Sequence, residues 1–227
     1  MKKLNPDLTY KQNLNILNFQ LGQYPGAGYY DTPYIRPYRG QYEETLFLRF
    51  GEKIPEDGVY GCHFFLDDYQ FQRVWNRPQL YLSVLRRYKY VLSPDFSLFV
   101  DYPKALSIYN HYRKHWLARY WQENGITVIP SLNWMYEDSW EWCFDGEPRR
   151  AIVAVSSKGI NNDAKMIEMF RRGYERMEQL LMPTKVLWFG KYCLDSPREN
   201  VIMCKTAYDD RLKMLRENYG RSKHGKG

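Results

Sequence analysis

The sequence predicts an α/β domain of alternating βα units around a mainly parallel sheet. Two observations carry this expectation. From residue 58 onward, apolar runs of strand length alternate with stretches of helical period, and the alternation repeats about every 30 residues, as right-handed βαβ units require. The count of about seven strands fits a (β/α)-barrel-like form, with an open doubly wound sheet as the alternative. No glycine-rich nucleotide turn follows an early strand, which tilts the choice toward the barrel-like form.

Residues 1–57 stand apart as an arm. Proline and glycine punctuate residues 24–33 and 36–40 too often for a helix or strand to develop, and tyrosines fill the gaps. Only residues 44–50 read as a strand, ended by Gly51. Such an arm packs on the main domain or offers a binding surface. Residues 58–210 form the α/β core, in which 59–66, 88–92, 126–132, 151–156, 185–190 and 201–204 read as strands. Phe71, Val74, Trp75, Leu82 and Leu85 carry a helical pattern around Pro78. Ala105, Tyr109, Tyr112, Trp116 and Tyr120 share one face of a long helix ending near Gly125, and a short aromatic helix starts at Ser139. Met166, Phe170, Tyr174, Met177 and Leu181 stripe a further helix that Pro183 terminates, and 209–219 read as the last helix.

The chain has 227 residues, with 33 Lys and Arg against 26 Asp and Glu. This length buries a sizeable core without disulfides or metals. No apolar run approaches the ~18 residues of a bilayer span, so no membrane partner is expected. The start of the chain lacks the apolar stretch of a secretion signal, which points to the cytoplasm. Cys62, Cys143, Cys193 and Cys204 lie too far apart for a zinc knuckle and read as thiols in a reducing compartment.

In a barrel or an open sheet, working groups gather past the carboxyl ends of the strands. Those ends carry Asp67 and Asp68, Asp95 behind Ser93 and Pro94, Asn133, then Ser156, Ser157 and Lys158, then Lys191, and Lys205 with Thr206. Carboxylates, lysines, hydroxyls and amides in one ring suit a divalent ion, a phosphate or acid–base work. The plain alternative is helix capping, above all for Asp68. Residues 156–163 join a strand to a helix through small amide-rich residues that suit an anion, with Asn162 or Asp163 as cap, but the P-loop spacing is absent.

His111 and His115 stand at i and i+4, as on zinc-binding helices. Tyr112 replaces the glutamate of the metalloprotease motif, and Arg113, Lys114 and Arg119 make a solvated basic face the expected role. Trp134, Trp140 and Trp142 cluster with Tyr136, Phe144 and four acids, which suits either a core edge or a stacking platform.

A series of motifs then gives a resemblance. It comprises HFFLDDY at 63–69 with Phe71, Val74 and Trp75, LSPDFSL at 92–98, and Tyr109, Asn110, Tyr112 and Arg113. It continues with Gly125, Ile126, Val128, Ile129, Pro130 and Trp134, with Ser139, Cys143, Phe144, Asp145 and Gly146, and with 153–156 and Gly159. In this order, over residues 60–160, they resemble the family catalogued as domain of unknown function 4417, which occurs in bacteria, phages and mobile elements. The resemblance implies a genomic setting and makes Asp67, Asp68, Asp95, Asn110, Arg113, Trp134, Ser139 and Ser156 candidates for a common site.

The expected function is a phage- or mobile-element-type protein that engages nucleic acid. In its sharpest form it is a hydrolase with Asp67, Asp68 and Asp95 as catalytic carboxylates, Asp67 and Asp95 around a divalent metal ion. Asn110, Arg113, Asn133, Trp134, Ser139, Ser156, Ser157 and Lys158 would then bind substrate or phosphate. The alternatives are a non-catalytic factor that docks a host or replication protein, and a barrel enzyme for a small phosphorylated or glycosidic substrate. Residues 211–227 hold six cations against one acid, a net +5 of the chain's +7, so the basic charge belongs to a C-terminal helix end and tail suited to phosphates.

Overall fold

The computed structural model describes residues 17–160 and 163–209. The expected last helix at 209–219, the basic tail and Asn161 with Asn162 lie outside them, except for Asp209. After a 3-10 turn at Phe19–Leu21 comes an antiparallel pair, β1 (Gly26–Ala27) and β2 (Thr32–Pro33), followed by β3 (Leu46–Arg49) and β4 (Tyr60–His63). Helix α1 (Asp68–Asn76) buries Phe71, Val74 and Trp75, and Pro78 opens a 3-10 turn that leads into α2 (Leu82–Leu85). Next come β5 (Tyr90–Leu92), the 20-residue α3 (Lys104–Glu123), β6 (Val128–Ile129) and β7 (Ser131–Leu132). The chain continues with β8 (Ile152–Ser156), α4 (Ala164–Leu181), β9 (Lys185–Phe189) and β10 (Val201–Met203).

All pairings outside the β1–β2 hairpin are parallel, in two four-stranded sheets ordered β3-β4-β5-β6 and β10-β9-β8-β7. The expected single strand at 126–132 is thus two. Pro130 has no N–H to donate, and the chain changes sheets across it, β6 pairing with β5 and β7 with β8. Its carbonyl still accepts from Ala154 N at 2.8 Å. At the far edges, Phe47 forms a parallel bridge with Thr206, and its N–H donates to Lys205 O at 3.3 Å. The two sheets are therefore linked at both ends.

Alternation along the strands sorts the core. Phe47, Tyr90, Leu92, Ile129, Ile152, Ala154, Leu187 and Phe189, from both sheets, form one cluster. The opposite faces pack outward: Leu48, Cys62, Val91 and Val128 meet α1 and α3, while Val153, Val155, Val186 and Trp188 meet α4.

Helix α4 presents the expected stripe of Phe170, Tyr174, Met177 and Leu181, and its first turn is capped by Asp163, which accepts from Lys165 N and Met166 N. Helix α3 departs from expectation. Ala105 is exposed, whereas His111, Arg113, Lys114, His115 and Trp121 are buried. The physical reason is that α3 is covered on more than one side: residues 22–36 of the arm lie along it, while Arg113 stacks on Phe96 and Lys114 reaches Ser131 and Glu147. Trp116 Nε1 donates to Gly22 O, Gln122 and Arg36 bond twice, and His115 Nδ1 meets Pro33 O. The solvated basic face expected at 111–115 is thus an interior one. The aromatic helix expected from Ser139 is a single 3-10 turn, Glu137–Ser139, followed by irregular turns. Among the described residues no helix is long and apolar enough to cross a membrane.

Candidate functional site

A cavity of about 340 Å³ opens past the carboxyl ends of β5, β7 and β8. Asp95, Asn133, Trp134, Ser156 and Lys158 line it, with Phe99, Met166 and Phe170 among the apolar walls. Five of the residues singled out from strand ends and motifs therefore meet. Ser93 and Pro94 follow the end of β5 at Leu92, and Asp95 comes next at the cavity wall. The Asp95 residue is partly exposed, yet its Oδ1 is enclosed and without a hydrogen-bond partner. Burial pushes its pKa from 3.8 to about 7, opposed by the Lys114 charge and assisted by Asp68. A carboxyl that titrates near neutrality is able to give or take a proton there.

Asn133 is held by two bonds, its Nδ2 donating to Phe96 O at 2.9 Å and its Oδ1 accepting from Lys114 Nζ at 3.3 Å. Ser156 Oγ accepts from Lys158 N at 3.2 Å, and the Lys158 ammonium reaches both oxygens of Asp209 at 3.4 Å. That contact is long and exposed, so the ammonium remains open to a competing anion. Trp134 packs on Phe170 and Phe144.

A second group of expected residues forms a scaffold beside the cavity. Asp68 accepts from the N–H and hydroxyl of Ser97, and Asn110 Nδ2 donates to Ser97 O at 2.7 Å. Arg113 donates to Asn110 Oδ1 and to Gln72 Oε1, and its guanidinium lies 3.9 Å over the Phe96 ring. These bonds fix the 96–97 segment that follows Asp95. Asp67 lies apart on the exposed surface at the start of α1, where it accepts from Gln70 Nε2. Ser139 and Ser157 also lie outside the cavity: Ser139 Oγ accepts from Met135 N, and Ser157 Oγ donates to Lys191 O.

Asp67, Asp68 and Asp95 hence do not offer one convergent ligand set. Among the described residues, the group of three metal-type ligands whose atoms lie within 4.8 Å of one another is His111, His115 and Glu147. The helical spacing of the histidines is visible in the sequence, but Glu147 carries no local signal. His63, at the end of β4, has no neighbouring histidine in the sequence to single it out. Its Nδ1 accepts from Phe65 N, its Nε2 is buried without a partner, and burial, with Lys158 adding, lowers its pKa to about 3. It is neutral.

The chain is 33% identical over 215 residues to "Gene 1 protein" of Mycobacterium phage D29, covering 91% of this chain and 78% of that protein. It is 39% identical over 155 residues to "Gene 1 protein" of Mycobacterium phage L5, covering 67% of this chain and 68% of that protein. No solved structure matches it. Residues 31–206 match the model of the family described as Domain of unknown function (DUF4417), which contains the motif series and both sheets, and the chain belongs to that family.

Proposed function

We propose that the cavity at the strand ends is an acid–base site for a phosphate-bearing nucleotide unit, free or at the end of a nucleic acid, with Asp95 as the proton-transfer group. The carrying observation is the Asp95 carboxyl: its Oδ1 is enclosed without a partner and its pKa is raised to about 7, in a cavity of nucleotide size. Lys158 is the phosphate contact, Asn133 and Ser156 supply hydrogen bonds, and Trp134 and Phe170 form the apolar wall. The Pro130 switch and the Phe47–Thr206 bridge support reading the two sheets as one barrel-like ring, a fold that carries its sites at the carboxyl ends of the strands. The phage setting of the relatives supports nucleic acid as the source of the unit.

The test is a fluorescence-anisotropy titration of labelled single-stranded oligonucleotide, competed with adenosine monophosphate, combined with a product assay. Lys158→Ala should weaken binding about tenfold, the worth of one charge-assisted hydrogen bond. Asp95→Asn should retain binding and lose turnover. Unchanged binding and turnover in both variants would sink the reading. Residues 211–227 neutralise further phosphates in this proposal, so their deletion should lower the salt slope of single-stranded oligonucleotide binding by about 0.7 for each phosphate no longer neutralised.

A second reading rests on one observation. A groove of about 670 Å³ runs between Tyr136, Trp140 and the first turns of α4, with Glu137, Asp138, Lys165 and Arg172 on its margins. An aromatic floor with a charged rim suits a peptide segment of a host or replication protein. Trp140→Ala would abolish such a complex, and Asp95→Asn would leave it intact.

A further inference from the structure

We propose that His111, His115 and Glu147 form a binding site for a zinc-type divalent transition-metal ion, at the seam where the β2 segment and the Gly146 turn meet α3. The inference concerns a different place from the strand-end cavity and does not depend on it.

The hydrogen bonds assign the tautomers. His115 Nδ1 lies 2.9 Å from Pro33 O, a pure acceptor, so Nδ1 carries the proton and donates it. His111 Nε2 lies 3.2 Å from Asp145 O and is protonated for the same reason. With no second proton on the ring, the other nitrogen of each holds a lone pair. A backbone carbonyl that fixes the ring through one nitrogen while the other is turned inward is the orienting contact typical of metal-bound histidine.

What the lone pairs meet points to a cation. His115 Nε2 faces Glu147 Oε1 at 3.0 Å, lone pair against carboxylate, which needs a positive centre between them. A proton would join this one pair only. His111 Nδ1 and Glu147 Oε2 would still be buried without partners. A metal ion addresses all three side chains, whose ligand atoms lie within 4.8 Å of one another. Zinc bonds of 2.0–2.1 Å in a tetrahedron put neighbouring ligand atoms about 3.3 Å apart, close to the observed separation of the His115–Glu147 pair. Two imidazoles and one carboxylate suit zinc, with the fourth position left for water.

The surroundings are compatible. His111, His115 and Glu147 are each at most 4% exposed. Gly146 lets the chain pass close by, since a Cβ there would stand 2.8 Å from Pro33 O and 2.9 Å from His115 Nδ1. The Lys114 ammonium is the opposing charge. It bonds Glu147 Oε1, Ser131 O and Asn133 Oδ1, so it shares Oε1 with the His115 contact and makes the site weaker than one without a neighbouring cation.

The full chain, stripped with a chelator and dialysed, would be titrated with zinc and separately with cobalt(II). The expected result is about one equivalent bound, a cobalt visible spectrum of tetrahedral intensity, and a raised thermal midpoint. His111→Gln, which keeps much of the side-chain volume, and Glu147→Gln should remain folded by circular dichroism and each weaken zinc at least about tenfold. The proposal is overturned if the folded wild-type chain takes up no zinc and its midpoint does not move. It is overturned equally if both folded variants bind zinc as well as the wild type does.

Discussion

Lys114 Nζ lies 2.8 Å from Glu147 Oε1, with side-chain exposures of 1% and 0%. The pair holds α3 to the 145–148 turn, and Lys114 also bonds Ser131 O on β7. Glu147 is ionised: burial raises its pKa, but the opposing contacts, led by the Lys114 ammonium, outweigh that and the net direction is down. Removing Lys114 leaves the Glu147 charge buried without its ammonium partner. Lys114→Ala should therefore cost about 3–5 kcal/mol in urea unfolding, whereas Lys114→Met combined with Glu147→Gln should recover most of the loss.

Gly173 sits inside α4, where an alanine ordinarily stabilises a helix by about 1 kcal/mol. Here a Cβ would stand 2.1 Å from Cδ1 and Nε1 of Trp134. Trp134 is pressed between α4 and the cavity and packed on Phe170, so the indole has to move. Gly173→Ala should thus destabilise by about 1–3 kcal/mol and weaken ligand binding at the cavity together with stability. Chemical denaturation and a parallel binding titration would check both.

The strand-end positions Asp95, Asn133, Ser156 and Lys158 are legible in the sequence because a parallel α/β fold brings strand ends together whatever its closure. Asp67 is not separable from Asp68 on that ground. Asp67 is the N-cap in extended backbone and Asp68 the first helical residue, so the two side chains leave the chain in different directions, one carboxylate reaching Ser97 and the other solvent. The interior placement of His111 and His115 escapes the sequence for a different reason. A periodicity argument supposes one wet face, and α3 has the sheet on one side and the arm on another. Glu147 lies 32 residues from His115, a separation that no local pattern encodes.

Asp163 accepts from two N–H groups of the first turn of α4, whose amino end lies beside the cavity that Met166 lines. Asp163→Ala should cost about 1 kcal/mol, and Asp163→Asn or Asp163→Ser should cost a few tenths. Thermal unfolding of the three variants would order them. A flat series would mean that the cap contributes nothing.

Stability should fall with rising pH in a window set by Asp95. Its carboxyl has a pKa near 3.8 in the unfolded chain and about 7 in the fold, so the folded state binds the proton more tightly. The contribution is fully present below pH 4 and is lost as pH rises through 7, where the enclosed Oδ1, which has no donor, becomes part of an anion. Other carboxylates act in the opposite sense. Glu147, whose burial raises its pKa but whose contact with the Lys114 ammonium leads the shift downward, loses its contribution as pH falls, at more acidic values. The two are separable by difference. Asp95→Asn carries no titrating proton, so subtracting its stability profile from that of the wild type should leave a single sigmoid between pH 4 and 7 with the variant the more stable at pH 8. If turnover runs through the same group, the rate profile of the wild type should bend near pH 7. A rate profile that stays flat while the stability sigmoid appears would keep the buried carboxyl and remove its role as the proton-transfer group.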